Sequence, residues 1–315
     1  MAQLAKTDNM GKEKKKYWGS AQAKHDASAY LLISPMLIGF FVFTLYPILW
    51  VIRLAWYNYT GVPSQTSFIG WENFIRLFTV DTTYWRALLN TFLLVICKLP
   101  IELPLALILA VLLNKKTVGS NFFRIMYYLP SVISMAIVGI VFSSLFGYFG
   151  YINGLFTKLG LMNMPVEWFS QKSTAMVVII VASIWNTFGI NVLYFLAALQ
   201  NVPQELYESA ALDGAGRWQQ FTNVTLPMIF PVLRIIVLMA LNGTMQTSEF
   251  ILMLTNGAPG GQTDVLMTHL LKNVTPGFVL SGANLGYGSA MACITAIILA
   301  CVSMMYMRLS KKELY

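Results

Sequence analysis

The chain has 315 residues, of which 57% are hydrophobic and only 11% are charged, and its formal net charge is +8. So large an apolar fraction cannot be buried in a single soluble core, which excludes an ordinary soluble domain. The composition therefore predicts an integral membrane protein, and the runs described below indicate that it is all-α. No basic patch is interleaved with aromatic residues, so the positive charge does not indicate a nucleic-acid partner.

Residues 1–28 are polar and rich in lysine, which predicts a basic cytoplasmic tail. Residues 29–315 are expected to form one membrane domain, because they contain six apolar runs long enough to cross the hydrocarbon layer, a crossing that takes about 20 helical residues. The runs are 30–52, 87–113, 125–146, 175–199, 228–250 and 285–307. They are continuously apolar and do not alternate, so six transmembrane helices are predicted and a barrel is not.

The first run is longer than the roughly 7 to 15 residues of a signal-peptide core, so we expect it to remain as the first span. An even number of spans puts both termini on one side of the membrane. The loops and termini of that side hold Lys6, Lys12, Lys14, Lys15, Lys16, Lys24, Lys115, Lys116, Arg124, Arg217, Arg234, Arg308, Lys311 and Lys312. The opposite side holds Arg53, Arg76, Arg86, Lys158, Lys172 and Lys272. The positive-inside rule therefore predicts that both termini are cytoplasmic.

The second span contains two charged residues, Lys98 and Glu102, which share one helix face because they are four residues apart. A structural ion pair beside Pro100 and Pro104 is one interpretation. The other is an ion or proton relay that also uses Glu249, which would make the chain a secondary transporter driven by an ion gradient. The sequence leaves both open.

Polar and aromatic residues in the fourth and fifth spans predict a substrate pathway. Amides offer donors and acceptors to sugar hydroxyl groups, and an indole ring offers an apolar face to a pyranose. The candidates are Trp185, Asn186, Asn191, Asn242, Gln246 and Glu249. Amides that hydrogen-bond to neighbouring helices are the alternative for each asparagine and glutamine.

The polar segment 201–227 separates the fourth and fifth spans and is predicted to begin with a short helix. Pro203 suits the first helical turn, and Glu205 and Glu208 favour the positive end of the helix dipole. Gly214 and Gly216 are expected to end this helix.

A second short helix is expected to follow from Arg217, after which Leu226 and Pro227 would redirect the chain into the fifth span. Without further information, the segment could be an ordinary cytosolic hairpin that links two spans.

The spacing within this segment resembles the EAA signature of the membrane subunits of bacterial ABC importers. Glu208 is followed by Ala210 and, six residues after the glutamate, by Gly214; the sequence Val-Thr-Leu-Pro then ends at Pro227. The resemblance implies the six-span permease fold of type I ABC importers and a loop that is coupled to an ATPase. The implied coupling residues are Glu205, Glu208, Ala210, Ala211, Asp213, Gly214, Leu226 and Pro227.

Other segments resemble the carbohydrate-importing permeases of this class, among them 68–74, 254–260 and 286–290. The resemblance implies a multi-pass permease in the lipid of the bacterial cytoplasmic membrane. Its implied partners are a second permease, two ATPase subunits and an extracellular binding protein that delivers a mono- or oligosaccharide. An ABC permease for a solute other than sugar remains an alternative.

The sequence contains no G-x-x-x-x-G-K-[ST] phosphate-binding loop, so ATP and Mg²⁺ are expected to be used by separate ATPase subunits. Cys97, Cys293 and Cys301 fall within predicted spans without paired spacing, so neither a disulfide nor a metal or other cofactor is expected. The spans also lack a cluster of His, Asp or Cys, which disfavours a membrane-embedded enzyme.

Overall fold

The computed structural model describes residues 29–114, 119–275 and 283–311. The predicted basic tail 1–28 lies outside the described residues. The helices are α1 Ala29–Leu54, α2 Glu72–Thr79, α3 Thr82–Asn114, α4 Ser120–Val132, α5 Met135–Leu145, α6 Tyr151–Lys158, α7 Lys172–Gln200, α8 Gln204–Leu212, α9 Arg217–Met245, α10 Glu249–Leu254, α11 Leu266–Val274 and α12 Leu285–Lys311. Two short antiparallel strands, β1 Tyr57–Asn58 and β2 Ser67–Phe68, pair between α1 and α2.

Five helices of the described residues, namely α1, α3, α7, α9 and α12, are long and apolar enough to cross a membrane. They correspond to five of the six predicted runs. The third run, 125–146, is not a straight helix, because α4 and α5 are bent by 93° relative to each other. Ile133 and Ser134 both have extended backbone, with ψ of 136° and 133°, and this breaks the helix inside a continuously apolar segment.

The bent pair nevertheless carries the chain from one side of the bundle to the other. Arg124 near the start of α4 donates from Nη2 to the carbonyl of Leu113 at the end of α3, over 3.3 Å. At the far end, the ring of Phe146 meets that of Trp168, which lies just before the start of α7, at 5.3 Å. Counted as one span, α4 and α5 bring the number of crossings to six.

The core is formed where α3, α7 and α9 pack together. Ala106 and Ala110 of α3 are fully buried, and their small side chains let neighbouring helices approach closely. Phe195 of α7 and Ile236 of α9 fill the space around them. In contrast, α1 has no buried residue, so its apolar surface faces outward.

Leu226 and Pro227 do not redirect the chain, so this expectation is wrong. Instead, α9 runs continuously from Arg217 to Met245 and contains a π-helical stretch, Phe221–Thr225, directly before these two residues. The wider π turn accommodates a proline ring that would clash with the carbonyl four residues earlier. The same arrangement occurs in α1, where the π-helical stretch Phe41–Leu45 comes just before Pro47.

Candidate functional site

The short helix predicted in segment 201–227 is confirmed as α8. Pro203 is its N-cap and Asp213 its C-cap, and no residue of α8 is buried. Gly214 follows with a φ of +82°, a left-handed conformation that favours glycine. The local signals of proline and glycine therefore define this helix.

The coupling candidates on α8 point mostly outward. The carboxylates of Glu205, Glu208 and Asp213 are exposed, as is Ala211, whereas Ala210 is half-buried. A side chain built on Gly214 would meet no other atom within 4 Å. This surface is therefore negatively charged and open to a partner.

Two apolar side chains beside these carboxylates are also exposed and were not among the sequence candidates. Leu212 is 89% exposed and Trp218 is 74% exposed. Large apolar groups that remain exposed in a polar loop are typical of protein interfaces, where tryptophan is enriched. Because these two residues are the large apolar side chains of an otherwise polar stretch, the sequence could have identified them as interface candidates.

A partly buried hydrogen bond links α8 to the membrane helix α9. The hydroxyl of Tyr207 lies 2.9 Å from Oγ1 of Thr225, which is buried in the π-helical stretch. Leu226, half-buried, and Pro227, exposed, come next in the same helix. The two hydroxyl groups therefore join α8 to the base of α9.

Lys98 and Glu102 form a buried polar network at the centre of the bundle. Nζ of Lys98 lies 3.4 Å from Oε2 of Glu102, and the two residues are 2% and 0% exposed. Oε1 of Glu102 accepts hydrogen bonds of 2.6 Å from the hydroxyl of Thr187 and the amide of Asn191. Lys98 also donates to Oγ1 of Thr244, over 3.0 Å. The network thus joins α3, α7 and α9.

A cavity of about 200 Å³ lies beside this network. The rest of its wall is apolar and includes Met135, Ile190 and Met239. Its polar wall is formed by Lys98, Thr187, Asn191, Tyr194, Thr244 and Thr247. The cavity therefore combines hydrogen-bonding groups with apolar surface, as small-molecule sites do.

Of the predicted pathway residues, only Asn191 lines this cavity. Asn186 instead donates to the carbonyl of Pro130, at 2.8 Å, beside the break between α4 and α5. Asn242 donates to the carbonyl of Leu238 and accepts a hydrogen bond from the hydroxyl of Ser303 on α12. These two amides hold helices together.

The remaining pathway candidates lie away from the cavity wall. The ring of Trp185 packs against Phe142 at 5.5 Å and is 42% exposed. Gln246 and Glu249 are exposed where α9 ends and α10 begins. Among the described residues no ion pair joins Glu249 to Lys98, which favours a local role for the Lys98 pair over a three-residue relay.

At the side of the bundle opposite α8, Asp81 joins the α2–α3 turn to α11 and α12. Its Oδ2 accepts hydrogen bonds from the hydroxyl of Tyr287, at 2.6 Å, and from Nε2 of His269, at 3.1 Å. Its Oδ1 accepts the backbone N–H of Tyr84. Burial raises the pKa of the Asp81 carboxyl, but together these donors outweigh burial and hold the pKa below its usual range.

A bundle of membrane-spanning helices with a central cavity of mixed polar and apolar wall, and an exposed charged helix on one side, defines a membrane transport subunit. Residues 102–314 match the family described as binding-protein-dependent transport system inner membrane component. The chain belongs to this family and is a multi-pass protein of the cytoplasmic membrane.

Curated relatives resemble nearly the whole chain. The lactose transport system permease protein LacF of Rhizobium radiobacter is 33% identical over 286 residues, which cover 90% of this chain and 94% of that protein. The arabinooligosaccharides transport system permease protein AraP of Bacillus subtilis is 32% identical over 297 residues, which cover 93% and 91%.

Solved structures agree with this assignment. A chain of a bacterial ABC transporter involved in the import of the acidic polysaccharide alginate has a TM-score of 0.79 and 25% identity, and the match covers 93% of this chain and 98% of that one. A chain of a bacterial alginate ABC transporter in complex with an alginate pentasaccharide-bound periplasmic protein has a TM-score of 0.78 and 26% identity, covering 92% and 96%. The permease fold implied by the sequence resemblance is confirmed.

Proposed function

We propose that this chain is the permease subunit through which an ATP-driven importer moves a mono- or oligosaccharide into the cell. The observation that carries the proposal is that α9 contains both Thr225, which bonds to Tyr207 of α8, and Thr244, which bonds to Lys98 at the cavity. One continuous helix therefore connects the exposed loop with the central cavity.

In the proposed mechanism, two separate ATPase subunits bind ATP and Mg²⁺ and close on each other. Their movement displaces α8, whose exposed carboxylates and the neighbouring Leu212 and Trp218 contact a groove of the ATPase. The Tyr207–Thr225 bond transmits this displacement to α9, so that the cavity opens alternately to the two sides of the membrane. A cleft of about 930 Å³ between α8, α9 and the ends of α3 and α7 leaves room for the movement.

The solute class is supported by the cavity wall and by the relatives. Ammonium, hydroxyl and amide groups complement the hydroxyl groups of a sugar, and the side chains of Met135, Ile190 and Met239 suit the apolar C–H faces of its ring. The relatives carry the names of lactose and arabinooligosaccharides, and a structural relative imports an acidic polysaccharide. A sugar is the class that these names share.

The other partners follow from the surfaces of the bundle. The outward apolar face of α1 is available to lipid and to a second permease subunit. An extracellular binding protein would dock on the side opposite α8, at the loops around α6 and α11. Both termini, together with the tail 1–28, are then cytoplasmic.

The test is uptake of labelled sugars by proteoliposomes that contain this chain, a second permease, two ATPase subunits and the binding protein. We expect uptake only when ATP is supplied on the side of the membrane where the ATPase subunits are bound. Uptake driven by an ion gradient without ATP would support a secondary transporter instead. If ATP drove the uptake of another solute but of no sugar, the permease assignment would stand and the proposed substrate class would be contradicted.

A further inference from the structure

Lys98 and Glu102 differ in their relation to the central cavity. Lys98 lies on the cavity wall, whereas Glu102 is fully buried behind it. Of the three N–H donors of the Lys98 ammonium group, one bonds to Thr244 and one faces Oε2 of Glu102 at 3.4 Å. The third has no acceptor among the described residues and is available to a molecule in the cavity.

The carboxylate of Glu102 is held in place by its neighbours. Its Oε1 is occupied by Thr187 and Asn191, and its Oε2 has no hydrogen-bond partner among the described residues and faces only the ammonium group of Lys98. Charges buried from water interact strongly, because little solvent screens them. The pair is therefore neutral as a unit, and Lys98 has its counter-charge before any solute enters.

We propose that Glu102 sets the charge preference of the cavity. Glu102 neutralises the charge of Lys98. The Lys98 ammonium group can then donate a hydrogen bond to the hydroxyl or ring oxygen of an uncharged sugar, but it is not a free cation that would bind an acidic sugar. This inference deepens the proposed function and rests on it, because it takes the cavity to lie on the path of the sugar.

The physical reason is that the carboxylate of an acidic sugar would compete with Glu102 for the single ammonium group of Lys98. An acidic sugar would have to give up the hydration of its carboxylate and would then face the negative charge of Glu102 at short range. An uncharged sugar needs only a hydrogen bond, which the third N–H of Lys98 supplies. Removal of the Glu102 charge would leave Lys98 without a counter-ion and turn the same cavity into a site for carboxylates.

The test measures direct binding to the purified complex of this chain with its permease and ATPase partners, by calorimetry, with two matched pairs of probes. The pairs are galactose with galacturonate, and glucose with glucuronate, in each of which the acid keeps the pyranose ring of the neutral sugar. For the wild type we expect at least one neutral probe to bind, at least tenfold more tightly than its acid. Failure of both neutral probes to bind would overturn the inference.

In the Glu102→Gln variant we expect the ratio of neutral to acid affinity to fall at least tenfold. The matched control is Glu167→Gln, which removes an exposed carboxylate before α7 and should leave the ratio unchanged. An equal ratio in the two variants would overturn the inference. Because wild-type uptake with ATP is measured separately, that result would leave the proposed sugar import standing.

A second variant covers the case in which Glu102→Gln does not assemble. The double substitution Lys98→Met with Glu102→Gln removes both charges and the free donor. We expect affinity for the neutral probe to fall several-fold without any gain for the acid. Unchanged affinity for the neutral probe would show that Lys98 does not bind the sugar, and tighter binding of the acid would show that Lys98 is not the cation that binds it; either result would overturn the inference.

Discussion

Gly214 stands out at the scale of single residues because its backbone, with φ of +82°, is in the left-handed region directly after α8. Most residues with a side chain are disfavoured there by about 1–2 kcal/mol, and Asp, which tolerates this conformation better, would also add a negative charge to the open surface around the turn. We therefore expect Gly214→Asp to shift the end of α8 and to uncouple the loop. Sugar import should fall about tenfold, while the amount of protein in the membrane stays the same.

Import is measured in cells, and membrane content by immunoblot. Gly216→Ala is the matched control, because Gly216 has a φ of −70° and the nearest atom to an added Cβ is the flexible end of Gln219 at 3.8 Å. Normal import in Gly214→Asp would contradict a coupling role for this turn.

Tyr207 provides a second prediction at this scale, because Tyr207→Phe removes only the hydroxyl group that bonds to Thr225. A typical hydrogen bond contributes about 1 kcal/mol, so the fold should survive the loss of the bond to Thr225. We expect ATP hydrolysis to continue while sugar imported per ATP falls several-fold. Both rates are measured in proteoliposomes, with Tyr151→Phe, an exposed ring on α6, as the control. An unchanged ratio would rule out this bond as the link between α8 and α9.

At the scale of secondary structure, Asn186 stabilises the break between α4 and α5. Its amide donates to the half-buried carbonyl of Pro130, which also accepts the backbone N–H of Ile133, and the loss of one hydrogen bond costs about 1 kcal/mol. Asn186→Leu should therefore lower the melting temperature of the detergent-solubilised protein. Asn201→Ala, which removes an exposed amide that bonds within its own chain segment, should change stability by no more than about 0.5 kcal/mol. Equal melting temperatures for the two variants would argue against this role.

The same region shows which elements the sequence could predict. The length and continuity of apolar runs depend on local composition, so five spans were found, four of them with ends within about five residues of the helix ends. The prediction for the fifth run, 228–250, was displaced, because α9 begins earlier, at Arg217, and ends earlier, at Met245. Pro130 is the local signal of a break, but it lies inside α4 and does not fix the position of the bend at Ile133 and Ser134. The amide that bonds beside the bend comes from Asn186 of α7, which is distant in the sequence. The role of Asn186 could not be predicted either, since it depends on that break.

The coupling loop could be predicted from local sequence, whereas the partners that surround the cavity could not. The bounds of α8 follow from Pro203 and Gly214, which act on their own neighbourhood. The partners of Glu102, in contrast, come from two turns of α7, and only the packed bundle brings Thr187 and Asn191 to it. The spacing of Lys98 and Glu102 predicted their ion pair and gave no information on the rest of the network.

At the scale of the whole molecule, Asp81 connects three elements on the side opposite α8, and its lowered pKa makes their packing pH-dependent. A carboxylate with a lowered pKa stabilises the fold fully above its ordinary pKa of 3.8, and this stabilisation is lost progressively as the pH falls from that value towards the lowered pKa. Asp81→Asn should therefore lower the melting temperature at pH 7, and its difference from the wild type should shrink as the pH falls below about 4. Glu72→Gln, an exposed carboxylate on α2, is the control. A difference that stays constant with pH would contradict this account.

The orientation of the whole chain follows from which helix ends lie together. Arg234 of α9 donates to the carbonyl of Ser310 at 2.8 Å, so the end of α12 lies on the side of the membrane that carries α8. With the bent pair counted as one span, the chain crosses six times, so the start of α1 is expected on that same side. Arg217 and Arg308 belong to this side as well, so we expect it to be the cytoplasmic side by the positive-inside rule.

This orientation is tested by labelling single cysteines in a variant whose Cys97, Cys293 and Cys301 are replaced by serine. Ser209 of α8 and Ser170 before α7 are both exposed, so each is changed to cysteine in turn. We expect a membrane-impermeant maleimide to label Ser170→Cys in intact spheroplasts and Ser209→Cys only after the membrane is opened. The reverse pattern would place α8 outside the cell, where no ATP-driven subunit could act on it, and would contradict the orientation and the coupling mechanism together.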